Sequence, residues 1–413
     1  MIRQNKIVNN IFWNIGTQVL NNLFPLVITP YMIYTLGAKL YGSMIVALSF
    51  WGLANLFIQF GFQVTASKKL ANNKTDYVFV QKYISIIYQA KFLLSLLSIP
   101  TLLLFMNFSG LNSNISMMLY TIPFIIGSLL QPNWIYIGIG EFKKQAKLTL
   151  FSKVISISLL IVVSILGSDM LLILMYSSTT FITSLVLLFG MRMYKPAYSV
   201  KSKFRDVLVE IKDGSEIFIA SFSTGAFIQL IPIVLDFYFG PVYVTVLNVC
   251  DAIRRVLYQT TQSIFQVIYQ NTNALINSLD KSKPNPALKK SVFFVFVIYS
   301  LLGVLTIIAQ HYLESYFSKI PYFDIDLVYL VLLSGFTNML MNALGVQVLI
   351  PLGYKRYLRN SFISSFIISL PFMLILIKNL SVNGALLSML CFDVLVIFIL
   401  IYKHKLEGVR SII

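Results

Sequence analysis

The sequence predicts an all-α integral membrane protein with about twelve transmembrane helices in two six-helix lobes. Three observations predict it. Of the 413 residues, 57% are hydrophobic and 11% are charged, with a mean hydropathy of +0.80, whereas soluble domains have about 25% charged residues. Long uncharged runs alternate with short basic clusters along the whole chain. A basic segment near the middle of the chain leaves six apolar runs on either side of it.

Each predicted span is an apolar run of about 20 residues, the length that crosses a ~30 Å hydrocarbon core. The first run follows Arg3 and Lys6, but it is too long for a signal peptide and no small-residue cleavage site follows it. The uncharged run 92–140 is too long for one helix, and the turn-forming segment 107–114 divides it. The predicted spans cover residues 9–35, 43–67, 83–106, 115–139, 148–167, 170–191, 215–238, 243–270, 290–310, 327–352, 359–378 and 383–402.

The distribution of lysine and arginine predicts the orientation of these spans. With a cytoplasmic N-terminus, 25 of the 32 basic residues lie on the cytoplasmic side and only Lys39, Lys319 and Lys378 lie on the other side. The remaining four lie within spans. Such an asymmetry follows the positive-inside rule, so we predict that both termini are cytoplasmic. The net charge of +17 then reflects topology and affinity for anionic membrane lipids, and it does not indicate nucleic-acid binding.

The longest predicted cytoplasmic connection, 192–214, marks the boundary between the lobes. Within it, Phe204, Val207, Leu208 and Ile211 have the i, i+3, i+4, i+7 spacing of an amphipathic helix that can lie on the inner membrane interface. We therefore predict an N-terminal six-helix lobe over 1–200 and a C-terminal six-helix lobe over 201–413. The amphipathic linker helix is predicted at about 201–213.

A faint internal repeat agrees with this division. Leu36-Gly37 ends the first span and Tyr41-Gly42 opens the second, while Phe239-Gly240 ends the seventh span and Tyr243 opens the eighth. Parallel repeats of six-helix halves occur in known transporter folds.

The sequence has none of the motifs that usually mark enzymes. It contains no glycine-rich phosphate loop, no HExxH motif and no cluster of metal ligands, and Cys250 and Cys391 both lie in apolar runs. We therefore predict no metal and no cofactor. The longest predicted outer segment, about 311–326, is too short to hold the site of a membrane glycan polymerase or ligase. These observations favour moving a substrate over changing it chemically.

Basic residues inside predicted spans need a specific reason, because a charge at the bilayer centre costs about 2.5–3.5 kcal/mol on insertion scales. The four basic residues that lie within predicted spans are Lys91, Lys153, Arg254 and Arg255. Together they predict a basic interior that suits an anion, and the donor fork of arginine suits phosphate. Two alternatives stay open. The lysines can extend to the inner interface, and Asp251 can pair with the two arginines that follow it by three and four residues, leaving one arginine in excess.

Three carboxylates complete the candidate site as structural or ion-coupling groups: Asp251, Asp236 and Asp393. Asp236 lies near the outer end of the seventh span, where it could also be an ordinary interfacial residue. Asp393 lies in the middle of the last span and has no basic neighbour in sequence. It must therefore pair with a cation from another span, such as Lys91 or Lys153, or be protonated.

Short motifs spread over spans 1 to 8 carry a family resemblance. They are Ile28-Thr29-Pro30-Tyr31, Leu36-Gly37-Ala38, Tyr41-Gly42, Ala47, Phe60-Gly61-Phe62, Leu70-Ala71, the segment Gln131-Pro132-Asn133-Trp134-Ile135-Tyr136-Ile137-Gly138 followed by Glu141, and Asp236, Gly240, Tyr243, Asn248 and Ile264. With the length and the span number, they resemble the Wzx-type polysaccharide (O-antigen) flippases of the multidrug/oligosaccharidyl-lipid/polysaccharide exporter superfamily. Tyr34 and Ile137 depart from that family, which often has arginine and glutamine there.

The resemblance implies an alternating-access transporter of the bacterial cytoplasmic membrane that is not an enzyme. It would move an undecaprenyl-pyrophosphate-linked oligosaccharide from the inner to the outer leaflet, alongside the polysaccharide polymerase machinery. Lys153 and the segment Asp251–Arg255 loosely match regions where the family places cavity charges. Two alternatives stay open: a multidrug/cation antiporter of the same superfamily, which would favour acidic cavity residues, and a membrane glycan polymerase or ligase.

Overall fold

The computed structural model describes the backbone of residues 2–108, 115–191, 204–276, 286–308, 321–345, 349 and 354–406. Most of the predicted turn at 107–114, the first residues of the predicted linker helix and most of the predicted outer segment 311–326 lie outside the described residues. All elements in the described part of the chain are helices. They are α1 (Ile2–Gln59), α2 (Phe62–Asn72), α3 (Tyr77–Phe108), α4 (Ile115–Leu130), α5 (Asn133–Ile139), α6 (Phe142–Ile165), α7 (Asp169–Gly190), α8 (Phe204–Phe239), α9 (Pro241–Ile276), α10 (Pro286–Ile308), α11 (Leu327–Leu344) and α12 (Lys355–Leu406).

Eight stretches of the described residues are long and apolar enough to cross a membrane. They are Val27–Asn72, Tyr77–Pro100, Ser116–Ile139, Phe142–Ile165, Asp169–Gly190, Phe204–Phe239, Leu327–Leu344 and Arg356–Tyr402. The first and last have 46 and 47 residues, about 70 Å of helix at 1.5 Å per residue. Each can therefore cross a ~30 Å core twice. The prediction of an all-helical, multi-pass membrane protein is confirmed.

Breaks in the long helices fall between predicted spans. Gly37 within α1 has φ 75° and ψ 160°, and Gly240 between α8 and α9 has φ 88°. Glycine adopts these conformations without steric cost because it has no Cβ. The internal repeat thus has a glycine with positive φ at both of its positions. The break in α12 lies at Ser381, with φ 49° and ψ −122°.

Two segments differ from the predicted spans. The predicted span 115–139 divides into α4 and α5, because Pro132 has no amide hydrogen to donate to the Ser128 carbonyl. Residues 204–213, predicted as part of a linker helix, form about the first three turns of α8. That helix continues through the predicted seventh span as one element.

The chain divides into two compact units, each described here by itself. Unit 1 consists of Met1–Leu20 and Ser43–Ile233, and unit 2 consists of Asn21–Gly42 and Val234–Ile413.

Unit 1 packs its helices closely at small residues. A Cβ on Gly127 of α4 would lie 2.4 Å from the backbone nitrogen of Phe181 in α7, and the Ser184 hydroxyl donates to the Gly127 carbonyl at 2.7 Å. Between α6 and α7, the Ser152 hydroxyl lies 3.0 Å from that of Thr183. Such contacts hold transmembrane helices together because lipid offers no hydrophobic driving force between them.

Unit 2 is built from α9 to α12 and the middle of α1. Helix α11 packs against α9, α10 and α12. The Tyr299 hydroxyl of α10 donates to the Leu332 carbonyl of α11 at 2.5 Å. On the other side of α9, Tyr41 donates to Asn248 Oδ1 at 2.9 Å. Helix α9, which carries Asp251, Arg254 and Arg255, thus packs against α10, α11 and α12.

Candidate substrate site

The predicted site residues fall into both units. Lys91 and Lys153 belong to unit 1, while Asp236, Asp251, Arg254, Arg255 and Asp393 belong to unit 2. The charged residues of each unit have different hydrogen-bond and ion-pair partners. These partners determine which charged groups still have donors for a ligand.

In unit 2, Asp251 pairs with both arginines of α9. Arg254 donates to Asp251 Oδ1 from Nε at 3.0 Å and from Nη2 at 2.7 Å, and Arg255 Nε lies 3.1 Å from Asp251 Oδ2. One helical turn separates the residues, so the helix itself sets this geometry. The local pair that the sequence left open as an alternative is present.

Asp393 of α12 lies within electrostatic range of Arg254, although the described residues show no ion pair within 4.0 Å between them. Its side chain is buried, and it interacts electrostatically with Arg254. It also accepts a hydrogen bond from Asn338 of α11 and lies 3.4 Å from the Thr337 hydroxyl. We call Asp251, Arg254, Arg255 and Asp393 the charged quartet.

The charged quartet bears on two expectations from the sequence. Lys91 and Lys153 were named as examples of a cation that could pair with Asp393, and that pairing stays a prediction; within its own unit, the carboxylate lies within electrostatic range of Arg254. With two carboxylates and two guanidinium groups, the quartet has no arginine in excess. Sequence reasoning did not place Asp393 near Arg254, because only the packing of α9 against α11 and α12 brings these distant parts of the chain together.

The two arginines of the quartet differ in how fully their donors are used. The Arg254 side chain is 5% exposed and that of Arg255 is 35% exposed. The Arg254 guanidinium also lies 5.7 Å from the ring centre of Tyr258, within the range of a cation–π contact. Arg255 donates from Nε alone, and within the described part of the chain neither of its terminal amino groups has a hydrogen-bond partner. Arg254 is thus an anchor, and Arg255 has donors left for a ligand.

In unit 1, Lys91 caps the end of a broken helix. Its side chain is completely buried and Nζ donates to the Gln131 carbonyl at 3.2 Å. The break at Pro132 frees that carbonyl, since the Ile135 amide donates to the Pro132 carbonyl instead. A cation at a helix C-terminus also opposes the negative end of the helix dipole.

Two further side chains cap neighbouring carbonyls of α4. Gln59 of α1 donates to the Ser128 carbonyl at 2.9 Å, and the Tyr88 hydroxyl of α3 donates to the Leu130 carbonyl at 3.0 Å. We call Gln59, Tyr88 and Lys91 the carbonyl cap. A buried carbonyl without a partner is unfavourable in a membrane protein. The carbonyl cap therefore explains why a lysine lies inside α3.

We expect Lys91→Met to destabilise the protein by about 1–3 kcal/mol, the cost of leaving a buried acceptor without a partner. Tyr88→Phe should have a smaller effect in the same direction, since it removes one neutral hydrogen bond. Thermal unfolding of the purified protein in detergent measures both, with the exposed Lys144→Met as the matched control. Undiminished stability of Lys91→Met together with lost transport would instead make Lys91 a substrate residue.

Lys153 and Asp236 lie apart from these two clusters along their helices. Lys153 is half-buried on α6, next to Ser152, which faces α7. Asp236 is half-buried in the last turn of α8, where its carbonyl accepts the Gly240 amide at 2.9 Å.

An ion-pair cluster that sequence reasoning missed joins α2 and α3 to the start of α8. Lys69 Nζ lies 2.8 Å from Glu210 and 2.7 Å from Asp213, and the Tyr83 hydroxyl donates to Glu210 at 2.8 Å. Val207, on the same face of α8, is buried in the adjoining apolar core. The first turns of α8 thus pack inside unit 1. The sequence did contain a signal for this cluster, since Glu210 and Asp213 are three residues apart and lie on one face of a helix. The prediction of a linker helix used only the apolar residues of the same segment.

A metal centre finds no support in the described residues, where no three His, Cys, Asp or Glu side chains group together.

Two relatives resemble this chain over nearly its whole length. It is 23% identical to a protein of Escherichia coli (strain K12) over 94% of both chains. It is also 20% identical to a protein of Shigella dysenteriae over 93% of this chain and 96% of the other. Both bear the name "Putative O-antigen transporter".

The fold has solved counterparts. The structure of the MATE multidrug transporter DinF-BH aligns with a TM-score of 0.65 at 15% identity, covering 98% of this chain and 96% of that one. At this identity the likeness concerns the fold alone. Residues 7–269 match the sequence profile of the family described as polysaccharide biosynthesis protein. Because this match covers more than half of the chain, the chain belongs to the polysaccharide biosynthesis protein family.

Proposed function

We propose that this protein is a flippase for surface polysaccharide synthesis. It would translocate undecaprenyl-pyrophosphate-linked oligosaccharide repeat units from the inner to the outer leaflet of the bacterial cytoplasmic membrane. The observation that carries the proposal is Arg255, a cation in the middle of a helix with a third of its side chain exposed. Its terminal amino groups have no partner among the described residues, so they are available to an anionic group of the substrate.

The physics of such a substrate agrees with this site. The lipid tail can stay in the bilayer while the pyrophosphate and the sugars need a polar passage. Arginine binds phosphate through two parallel hydrogen bonds, and Asp251 and Arg254 hold Arg255 in place. A membrane potential that is negative inside favours outward movement of an anion by about 2.3 kcal/mol per charge per 100 mV.

The proposal includes the predicted architecture. Twelve crossings are possible if the two longest stretches each cross twice and the six other stretches each cross once. Helices α9 and α10 would supply the remaining two. We keep the predicted two lobes, over 1–200 and 201–413, as part of the proposal, and they would expose a cavity to each membrane face in turn. Both termini would be cytoplasmic. Of the predicted anion contacts, Arg255 and Lys153 remain, Arg254 positions Arg255, and Lys91 serves the carbonyl cap.

A multidrug/cation antiporter is the first alternative, favoured by two carboxylates with little exposure, Asp251 and the buried Asp393. Both carboxylates interact with arginine, however, so they offer an incoming cation little unbalanced negative charge. A membrane polymerase or ligase is the second alternative. The names of the relatives speak for transport.

Deletion of the gene tests the proposal. We expect the cell to lose its surface polysaccharide and to accumulate lipid-linked repeat units that a membrane-impermeant glycosidase reaches only in inside-out vesicles. A plasmid copy should restore both. Normal polysaccharide with increased sensitivity to cationic dyes would instead indicate the antiporter. Repeat units that reach the outer leaflet but stay unpolymerised would indicate the polymerase.

A further inference from the structure

Unit 2 has a cavity away from the charged quartet. It lies between the start of α9, the segment before α11 and the break in α12, and its volume is about 570 Å³. That volume is within the range of pockets that hold small molecules. Tyr243, Tyr322, Asp324, Ser381 and Asn383 supply its polar groups. We call this cavity the aromatic pocket.

A pair of stacked tyrosines forms one side of the aromatic pocket. The rings of Tyr243 and Tyr322 lie 4.5 Å apart and are inclined by 16°. Phe239 supports Tyr243 with its ring centre at 5.3 Å. Tyr322 is 65% exposed, so this large amphipathic ring faces the open side of the pocket. An exposed aromatic face next to hydrogen-bonding groups offers a ligand both apolar and polar contacts.

The backbone holds the pocket residues in unusual conformations. Of the described residues other than glycine, only Phe60, Tyr322 and Ser381 have positive φ, and two of these three line the aromatic pocket. Such conformations persist only where the surrounding structure enforces them, and they are frequent at ligand sites.

The chemistry of the lining suits a neutral polyhydroxyl ligand. Two phenol groups, a hydroxyl, an amide and a carboxylate can donate and accept hydrogen bonds with sugar hydroxyls. The flat tyrosine face suits the apolar C–H face of a sugar ring. No lysine or arginine is among the described residues that line the pocket, so it offers a phosphate no countercharge.

We propose that the aromatic pocket is a sugar-binding subsite that receives the glycan part of the transported molecule. The inference rests on the proposed function and assigns the two ends of the substrate to different places. Arg255 follows Tyr243 by twelve residues on α9, about 18 Å along the helix. A lipid-linked oligosaccharide can therefore place its pyrophosphate at Arg255 while its sugars reach Tyr322 and Asn383.

Saturation-transfer NMR on the purified full-length protein tests the subsite. The probe is the repeat-unit oligosaccharide of the host's own surface polysaccharide, released by acid so that it has neither lipid nor pyrophosphate. We expect saturation transfer to its ring protons with the native protein. Tyr322→Ala should reduce the signal at least threefold, and Asn383→Ala should weaken the affinity about tenfold, the effect of losing one or two good hydrogen bonds. Tyr402→Ala, which removes an exposed tyrosine of unit 2 outside the pocket, should bind like the native chain.

The NMR experiment and the gene deletion test the sugar subsite and the flippase function separately. If Tyr322→Ala and Asn383→Ala keep the native signal, or if the native protein gives none, the sugar subsite is wrong. The gene deletion described above then decides the flippase function independently. If the deletion leaves polysaccharide export unchanged while the native protein binds the oligosaccharide through Tyr322, the flippase proposal is wrong and the subsite stands.

Discussion

Arg254→Met is expected to destabilise the protein by about 3–5 kcal/mol, the usual cost of breaking a buried ion pair by removing one partner. The Arg254 side chain is almost fully buried, and its two hydrogen bonds to Asp251 are short. Methionine has a similar length but no charge. The change would remove the positive charge that lies within electrostatic range of the buried Asp393, while Asp251 would keep Arg255.

A second substitution shows whether the unpaired carboxylate causes this loss. Adding Asp393→Asn to Arg254→Met should recover part of the stability, since the amide keeps the shape without the charge. The coupling between the two changes should lie in the range of about 0.5–3 kcal/mol that contacting residues show. Thermal unfolding in detergent compares the four proteins, with Arg205→Met on the exposed start of α8 as the control. Strictly additive effects would mean that Arg254 and Asp393 do not interact.

The Asp393→Asn protein of this cycle also addresses ion coupling. If Asp393 is a structural partner of Arg254, the single variant should retain export and respond to an imposed pH gradient as the native protein does. Loss of both in a folded protein would instead identify Asp393 as a proton carrier.

Local features of the sequence predicted the parts of the fold that depend on local chemistry. Apolar length predicted the crossings, because a helix of about 20 apolar residues is dictated by bilayer thickness. Gly37 and Gly240 marked two breaks because only glycine tolerates their backbone conformation. The pairing of Asp251 with Arg254 and Arg255 was also open to prediction, since helix periodicity alone sets it.

Contacts between distant helices were beyond such reasoning. Asp393 is 139 residues from Arg254 in the chain, so nothing in the local pattern names its partner. From the sequence, Lys91 was a candidate ligand for an anion, because its acceptor does not lie nearby in the chain. In the structure, it donates to the carbonyl of Gln131, forty residues away, which the break at Pro132 frees. A free backbone carbonyl cannot be recognised from the residue types in a sequence, because every residue has a carbonyl. A charged side chain can be recognised directly. A lone charge in a predicted span is thus weaker evidence for a substrate than an arginine with unused donors.

Arg255→Ala is expected to reduce polysaccharide export on the order of tenfold, with the protein still folded and present at the native level. A good charge-assisted hydrogen bond contributes about 1.5–3 kcal/mol, and each 1.4 kcal/mol corresponds to a factor of ten in binding. The fold should survive because Asp251 keeps Arg254, which donates to it twice. Half-exposed charges also contribute less to stability than buried ones.

Substitution by lysine adds a sharper test of the arginine. Arg255→Lys keeps the positive charge but loses the fork that binds phosphate through two parallel bonds. It should therefore export at a level between that of the native protein and that of Arg255→Ala. The measurement is the amount of surface polysaccharide in a deletion strain carrying each variant, normalised to the amount of protein in the membrane. Arg205→Ala, which removes an exposed arginine of α8, should export normally. Native export by Arg255→Ala would mean that the substrate's anionic group binds elsewhere, and the half-buried Lys153 of α6 would then be the cation to replace next.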